Sequence, residues 1–116
     1  MDERPRITKC APKISITAAA TPTLIYQVST GRTAKLVKLI AYDGQAADVT
    51  LEIGTYVAPT FTRRLPRVHL VAGFDYQLGE LDCPEFEFEA DIYAQASAAG
   101  AAPNDIEVQV TVEEIG

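Results

Sequence analysis

The sequence predicts an all-β fold: an antiparallel β-sandwich of jelly-roll type, about eight strands, with an extended N-terminal arm. Three observations predict it. Apolar and polar residues alternate with a period of two along most of the chain, the spacing that gives a sheet one dry and one wet face. Turn-forming residues cut that alternation into short segments. The alanine-rich stretch 94–102 is broken by Gly100 and followed by Pro103, so it reads as a loop and not as a helix.

The arm comes first. Residues 1–13 contain prolines and bases and lack the alternation, so they are expected to be extended and to pack on another chain, with the sandwich domain running from 14 to 116. Strands are then expected over Ile14–Thr17, Leu24–Ser29, Ala34–Tyr42, Val49–Ile53, Val68–Val71, Phe74–Leu78, Glu85–Ala94 and Ile106–Val112. Apart from its lysines, Ala34–Tyr42 is apolar on both faces, which suits a central strand. The clearest alternation is at the end, where Ile106, Val108, Val110 and Val112 point one way and Glu107, Gln109, Thr111 and Glu113 the other. Phe86, Phe88, Ala90, Ile92 and Ala94 alternate with Glu87, Glu89, Asp91, Tyr93 and Gln95 in the same manner. Thr30-Gly31-Arg32, Asp43-Gly44, Ala72-Gly73 and Pro103-Asn104-Asp105 supply the turns, and Tyr56–Arg67 reads as a loop or irregular strand. The expected core is Ile106, Val108, Val110, Val112, Phe86, Phe88 and Ile92.

A chain of 116 residues with 47% apolar composition is one globular domain, not a disordered segment. No apolar run approaches the ~20 residues that span a bilayer. The charged start Met1-Asp2-Glu3-Arg4-Pro5-Arg6 has no apolar stretch behind it, so no secretion signal is read there and the expected compartment is the cytoplasm. Cys10 and Cys83 lack CxxC spacing and are expected reduced and buried, with a long-range disulfide as the alternative.

Charge is distributed unevenly. Residues 1–67 hold all ten bases against five acids, whereas 73–116 hold eleven acids and no base. Such a split suits an electrostatic partner or a head-to-tail contact between copies, although interleaved strands would blend the two signs over one surface. The bases expected to meet a partner are Arg4 and Arg6 on the arm and Arg63, Arg64 and Arg67 in the loop. A net charge of −6 argues against nucleic acid as that partner.

Candidate chemistry is sparse. His69, the one histidine, sits between Val68 and Leu70 with no ligand-spaced partner in sequence, and reads as a surface strand residue. Glu85, Glu87, Glu89 and Asp91 place carboxylates two apart, about 6.6 Å along a strand, near the separations of glycosidases. A solvated strand face that resists edge-to-edge aggregation is the better reading. The sequence contains no phosphate loop or dinucleotide fingerprint, so no cofactor, metal or catalytic residue is expected. The five tyrosines leave a carbohydrate-binding module as an alternative.

Thr21–Ile40, with the pattern T-x-x-x-I-Y-x-V-x-x-G-[KR]-x-A within it, resembles the opening strand–turn–strand of small tailed-phage virion proteins. Leu70-Val71-Ala72-Gly73-Phe74-Asp75-Tyr76 and Asp91-Ile92-Tyr93-Ala94-Gln95-Ala96-Ser97 are similar to later elements of those proteins. The final acidic strand and the basic arm match no motif of theirs. The resemblance implies a non-enzymatic structural protein of a phage particle, assembled in the host cytoplasm and located in the virion. In this reading it is a head decoration (cement) protein that binds and stabilises the assembled head, with a structural component of the neck or tail as the alternative. Its implied partners are the major capsid protein or another virion protein, and further copies of itself in a homo-oligomer.

Overall fold

The computed structural model describes residues 6–79 and 87–116. Within them the chain forms eleven strands: β1 (Arg6–Cys10), β2 (Ile14–Ile16), β3 (Thr23–Tyr26), β4 (Thr33–Asp43), β5 (Val49–Val57), β6 (Thr60–Arg63), β7 (Val68–Leu70), β8 (Asp75–Gly79), β9 (Glu87–Phe88), β10 (Ile92–Ala96) and β11 (Ile106–Ile115). No helix is present among the described residues.

Two antiparallel sheets enclose one core. In the first, the order is β1-β11-β4-β8, with β2 also on β11 and β9 also on β4. β1 and β2 therefore lie end to end along one side of β11, pairing Arg6–Cys10 with 115–111 and Ile14–Ile16 with 108–106. β8 and β9 do the same along the far side of β4. The second sheet has the order β3-β10-β5-β6, with β7 also on β5. Eleven strands stand where about eight were expected, because β1 forms in the expected arm, β6 in the segment Tyr56–Arg67, and the expected strand over 85–94 is divided into β9 and β10.

The core follows the alternation. Ile106, Val112, Phe88, Ile92, Leu36, Leu39, Leu51, Ile53 and Leu70 have no solvent exposure, and Val108 and Val110 have almost none. Phe86 falls outside the described residues. Burying each such side chain is worth about 1.5–3 kcal/mol, so the two inner faces supply the main cohesion of the fold.

Several expectations need correction. The single strand expected over Glu85–Ala94 is two strands in different sheets, β9 on β4 and β10 between β3 and β5. The chain crosses between sheets at Glu89–Asp91, leaving Ala90 exposed. Both sheets face the same core, so Phe88 and Ile92 keep their alternation through the crossing. The segment expected as a loop or irregular strand over Tyr56–Arg67 takes the strand alternative in part, as a hairpin in which Gly54–Val57 pairs with 63–60. Gly54 is needed there, since a Cβ would run into the carbonyl oxygen of Thr62. The expected arm is extended in its described part, yet β1 pairs with the chain's own β11. Cys10, expected buried, is exposed and free, because it pairs with Thr111 on the outer face of that edge. Cys83 lies outside the described residues.

Candidate functional site

The bases expected to meet a partner do not form one patch. Arg6 lies on β1, at one edge of the first sheet, with its guanidinium 2.5 Å from Glu113 Oε1. Arg63 ends β6, at an edge of the second sheet, and lies 3.6 Å from Glu52 Oε2. Arg67 donates its Nε–H to the same Glu52 oxygen at 3.2 Å, while Gln95 donates to Glu52 Oε1 at 2.9 Å. Cross-strand pairing of β5 and β10 puts Glu52 opposite Gln95, which explains why one carboxylate gathers these side chains. Arg64 instead lies 4.9 Å above the Phe88 ring, donates to the Glu87 carbonyl at 2.8 Å and lies 3.7 Å from Glu89 Oε2. Arg4 lies outside the described residues. Bases from the first part of the chain thus meet acids from both parts.

The densest polar cluster was missed by the sequence reading. Glu114, on β11, has no solvent exposure. Tyr26 donates its hydroxyl to Glu114 Oε2 at 2.5 Å. The Ser29 hydroxyl and amide also donate to it, at 2.8 and 3.1 Å. Lys9 Nζ lies 3.1 Å and Arg32 3.8 Å from Oε1. Burial alone raises the carboxyl pKa, but the hydrogen bonds from Tyr26, Ser29 and Lys9 outweigh it and hold the value down to about 2. Burial and the same hydrogen bond push the Tyr26 hydroxyl upward, so the proton stays on the phenol. The signal was available: Glu114 continues the inward parity of Val108, Val110 and Val112.

His69 is exposed on β7, with Nε2 3.1 Å from Asp48 Oδ2. Among the described residues no group of three His, Cys, Asp or Glu side chains is arranged to hold a metal ion. Tyr56 and Tyr93 meet with ring centroids 5.4 Å apart and planes tilted by 58°, and Tyr26 is committed to Glu114.

Two surface features stand out for their apolar character. A groove of about 430 Å³ runs between the β1–β2 edge and the β3 edge, with Ala11, Pro12, Ile14, Leu24 and Ile25 in its lining beside the polar Lys9 and Gln27. The turn between β7 and β8 presents Val71, 46% exposed, and Phe74, 68% exposed. Asp48 flanks that turn and accepts the Ala72 amide at 3.1 Å. That bond, ahead of the opposing effect of burial, holds its carboxyl below the ordinary value.

No protein-family model matches the chain, and no curated protein matches it. Among solved structures it is similar to a protein of Bacillus endospore appendages, which form a novel family of disulfide-linked pili. The TM-score is 0.53 at 14% identity, over 97% of this chain and 89% of that one. That likeness concerns the fold.

Proposed function

We propose that this chain is a non-enzymatic structural subunit of jelly-roll type that works by assembling with other protein chains. The carrying observation is the exposed apolar turn and edge residues Phe74, Val71, Val57, Ile7 and Leu24, placed where a neighbouring chain can cover them. Counting each end-to-end pair of strands as one position, the sheet orders read 1-8-3-6 and 2-7-4-5. That order supports the double Greek key of a jelly roll, an architecture shared by capsid and lectin domains.

The sequence resemblance favours one particle: a phage head, decorated by copies that bind the assembled lattice of major capsid protein and stabilise it by mass action. The fold likeness favours a second: a pilus-like polymer of the chain itself. Immunogold labelling of particles from the producing cells tests both. Label on icosahedral shells supports head decoration, label on a neck or tail moves the protein there, and label along fibres supports the polymer. Recovery of the chain solely as a free monomer, with no particle labelled, overturns the assembly reading.

A further inference from the structure

Glu114 is not the only carboxylate that the fold buries. Asp43 has no solvent exposure and Asp105 is 6% exposed. What meets these groups differs sharply. Glu114 gathers hydrogen bonds from Tyr26 and Ser29 and ion pairs with Lys9 and Arg32. Asp43 accepts the Gln45 amide on Oδ1 at 2.8 Å, and its buried Oδ2 has no hydrogen-bond partner among the described residues. The ion pairs among the described residues include neither Asp43 nor Asp105.

One end of the first sheet brings the two aspartates together. Asp43 closes β4 opposite Ile106, which opens β11, so Asp105 lies one step further along the neighbouring chain. The Gly44 amide donates to the Asp105 carbonyl at 3.1 Å. A Cβ on Gly44 would run into the carbonyl oxygens of Pro103 and Asp105, so the turn over 103–105 sits directly against this glycine. The Gly73 amide donates to the Asp43 carbonyl at 3.0 Å and ties in the β7–β8 turn. The three segments knitted together here, 43–51, 69–79 and 96–109, contain no lysine or arginine. Their own side chains therefore supply no strong base to offset the two buried acids.

A carboxylate taken out of water needs a cation or several donors, because its desolvation costs several kcal/mol. Glu114 has both, and Asp43 and Asp105 have neither. We propose that this end of the sandwich binds a calcium ion, held by Asp43 Oδ2 and the Asp105 carboxylate. Both ligands are hard oxygens, which suit calcium and not zinc. No three acid, histidine or cysteine side chains gather there among the described residues, so main-chain carbonyls and water complete the shell. Calcium accepts such mixed shells of about six to eight oxygens, and the Pro103 carbonyl is the main-chain oxygen that the adjoining turn offers. With two carboxylates the affinity is expected to be weak, on the order of 10⁻⁴–10⁻³ M. The site does not depend on the assembly reading above.

Isothermal titration of calcium chloride into the full chain, first treated with a chelator and dialysed, tests the proposal. Thermal unfolding with calcium, with magnesium and with neither is measured beside it. The variants are Asp43→Asn and Asp105→Asn, with Asp75→Asn as control. Asp75 begins β8 with an exposed side chain, so its loss removes the same charge from the same end of the sheet. Wild type and Asp75→Asn should bind calcium with a raised thermal midpoint, and magnesium should raise it less. Asp43→Asn and Asp105→Asn should each lose roughly tenfold or more in affinity. Without calcium, Asp43→Asn should unfold no earlier than wild type, because an uncompensated buried charge has been removed. Equal weakening in all three variants would reduce the effect to general attraction by surface acids and overturn the proposal. So would a wild-type chain that gives neither binding heat nor a midpoint shift at ~10 mM calcium. That result needs wild type alone, so it decides the matter even where a variant fails to fold.

Discussion

Lys9, on the edge strand β1, holds its Nζ 3.1 Å from Oε1 of Glu114, a carboxylate with no solvent exposure on the neighbouring β11. Three segments converge on that carboxylate: β1 through Lys9, β3 through Tyr26, and the β3–β4 connection through Ser29 and Arg32. The edges of both sheets are thus tied to one buried charge. A buried charge is tolerated only where it is paired and hydrogen-bonded, so removing it should loosen this side of the sandwich first.

Glu114→Gln should cost about 2–3 kcal/mol at neutral pH, because charge-assisted hydrogen bonds are replaced by weaker neutral ones. The carboxyl titrates lower in the fold, at about 2, than its ordinary 4.5. Its stabilisation is therefore complete above pH 4.5 and is lost as the pH falls through about 2. Urea unfolding of wild type and Glu114→Gln between pH 7 and pH 2 should show the gap between them narrowing below pH 4.5. A gap that stays constant with pH would show that Glu114 is not the group responsible.

Tyr26→Phe removes the 2.5 Å hydrogen bond while keeping the ring that packs on the core. It should cost about 1–2 kcal/mol in wild type. In the Glu114→Gln background the cost should fall by at least ~0.5 kcal/mol, the coupling expected of residues in one network. A double-mutant cycle by chemical denaturation measures it, and strict additivity would mean that the two groups do not act together.

The sequence made some of this legible. The β11 alternation located Val108, Val110 and Val112 in the core because a strand with one buried face writes its parity into the chain. Glu114 shares that parity, but the expected strand stopped at Val112, since an acid normally ends an apolar face. Periodicity could not reveal the crossing at Glu89–Asp91, because β9 and β10 bury side chains in one common core from opposite sheets. Nor could it show that Glu52 gathers Arg63, Arg67 and Gln95, a meeting set by the register of β5 against its neighbours. The uneven charge along the chain, legible at once, is folded into pairs between its two parts such as Arg6–Glu113 and Arg64–Glu89.

Gly54→Ala should destabilise the chain by about 1–3 kcal/mol, the cost of overpacking a site with no room. The obstacle is backbone, the Thr62 carbonyl of the paired strand β6, so no side-chain rotation relieves it. Alanine at Gly79, whose added Cβ would meet nothing within 4 Å, is the control and should be near neutral. Thermal unfolding of the two variants side by side checks the contrast. Equal midpoints would mean that β6 does not cross so close to β5.

The three arginines of the β6–β7 region should separate by environment, though they share one charge. Arg67 has a side chain 64% exposed and, among the described residues, meets the Glu52 carboxylate at 3.2 Å. Such a pair in water contributes ~0–1 kcal/mol and weakens with salt. Arg63 meets the same carboxylate at the longer distance of 3.6 Å and should count for no more. Arg64 has a side chain only 29% exposed, stacks 4.9 Å above Phe88 and donates to the Glu87 carbonyl. Its flat guanidinium serves ring and carbonyl together, which a lysine ammonium does not reproduce. Arg64→Ala should therefore cost about 1–2 kcal/mol and change little between low and high salt, because packing and a hydrogen bond carry it. Arg64→Lys should recover less than half of that loss, whereas Arg67→Lys should be nearly neutral. Urea unfolding at 20 mM and 500 mM salt, as order-of-magnitude low and high conditions of screening, reads all four variants. An Arg67→Ala loss larger than that of Arg64→Ala would mean that the Glu52 cluster, and not the stack on Phe88, fastens β6 to the body of the sandwich.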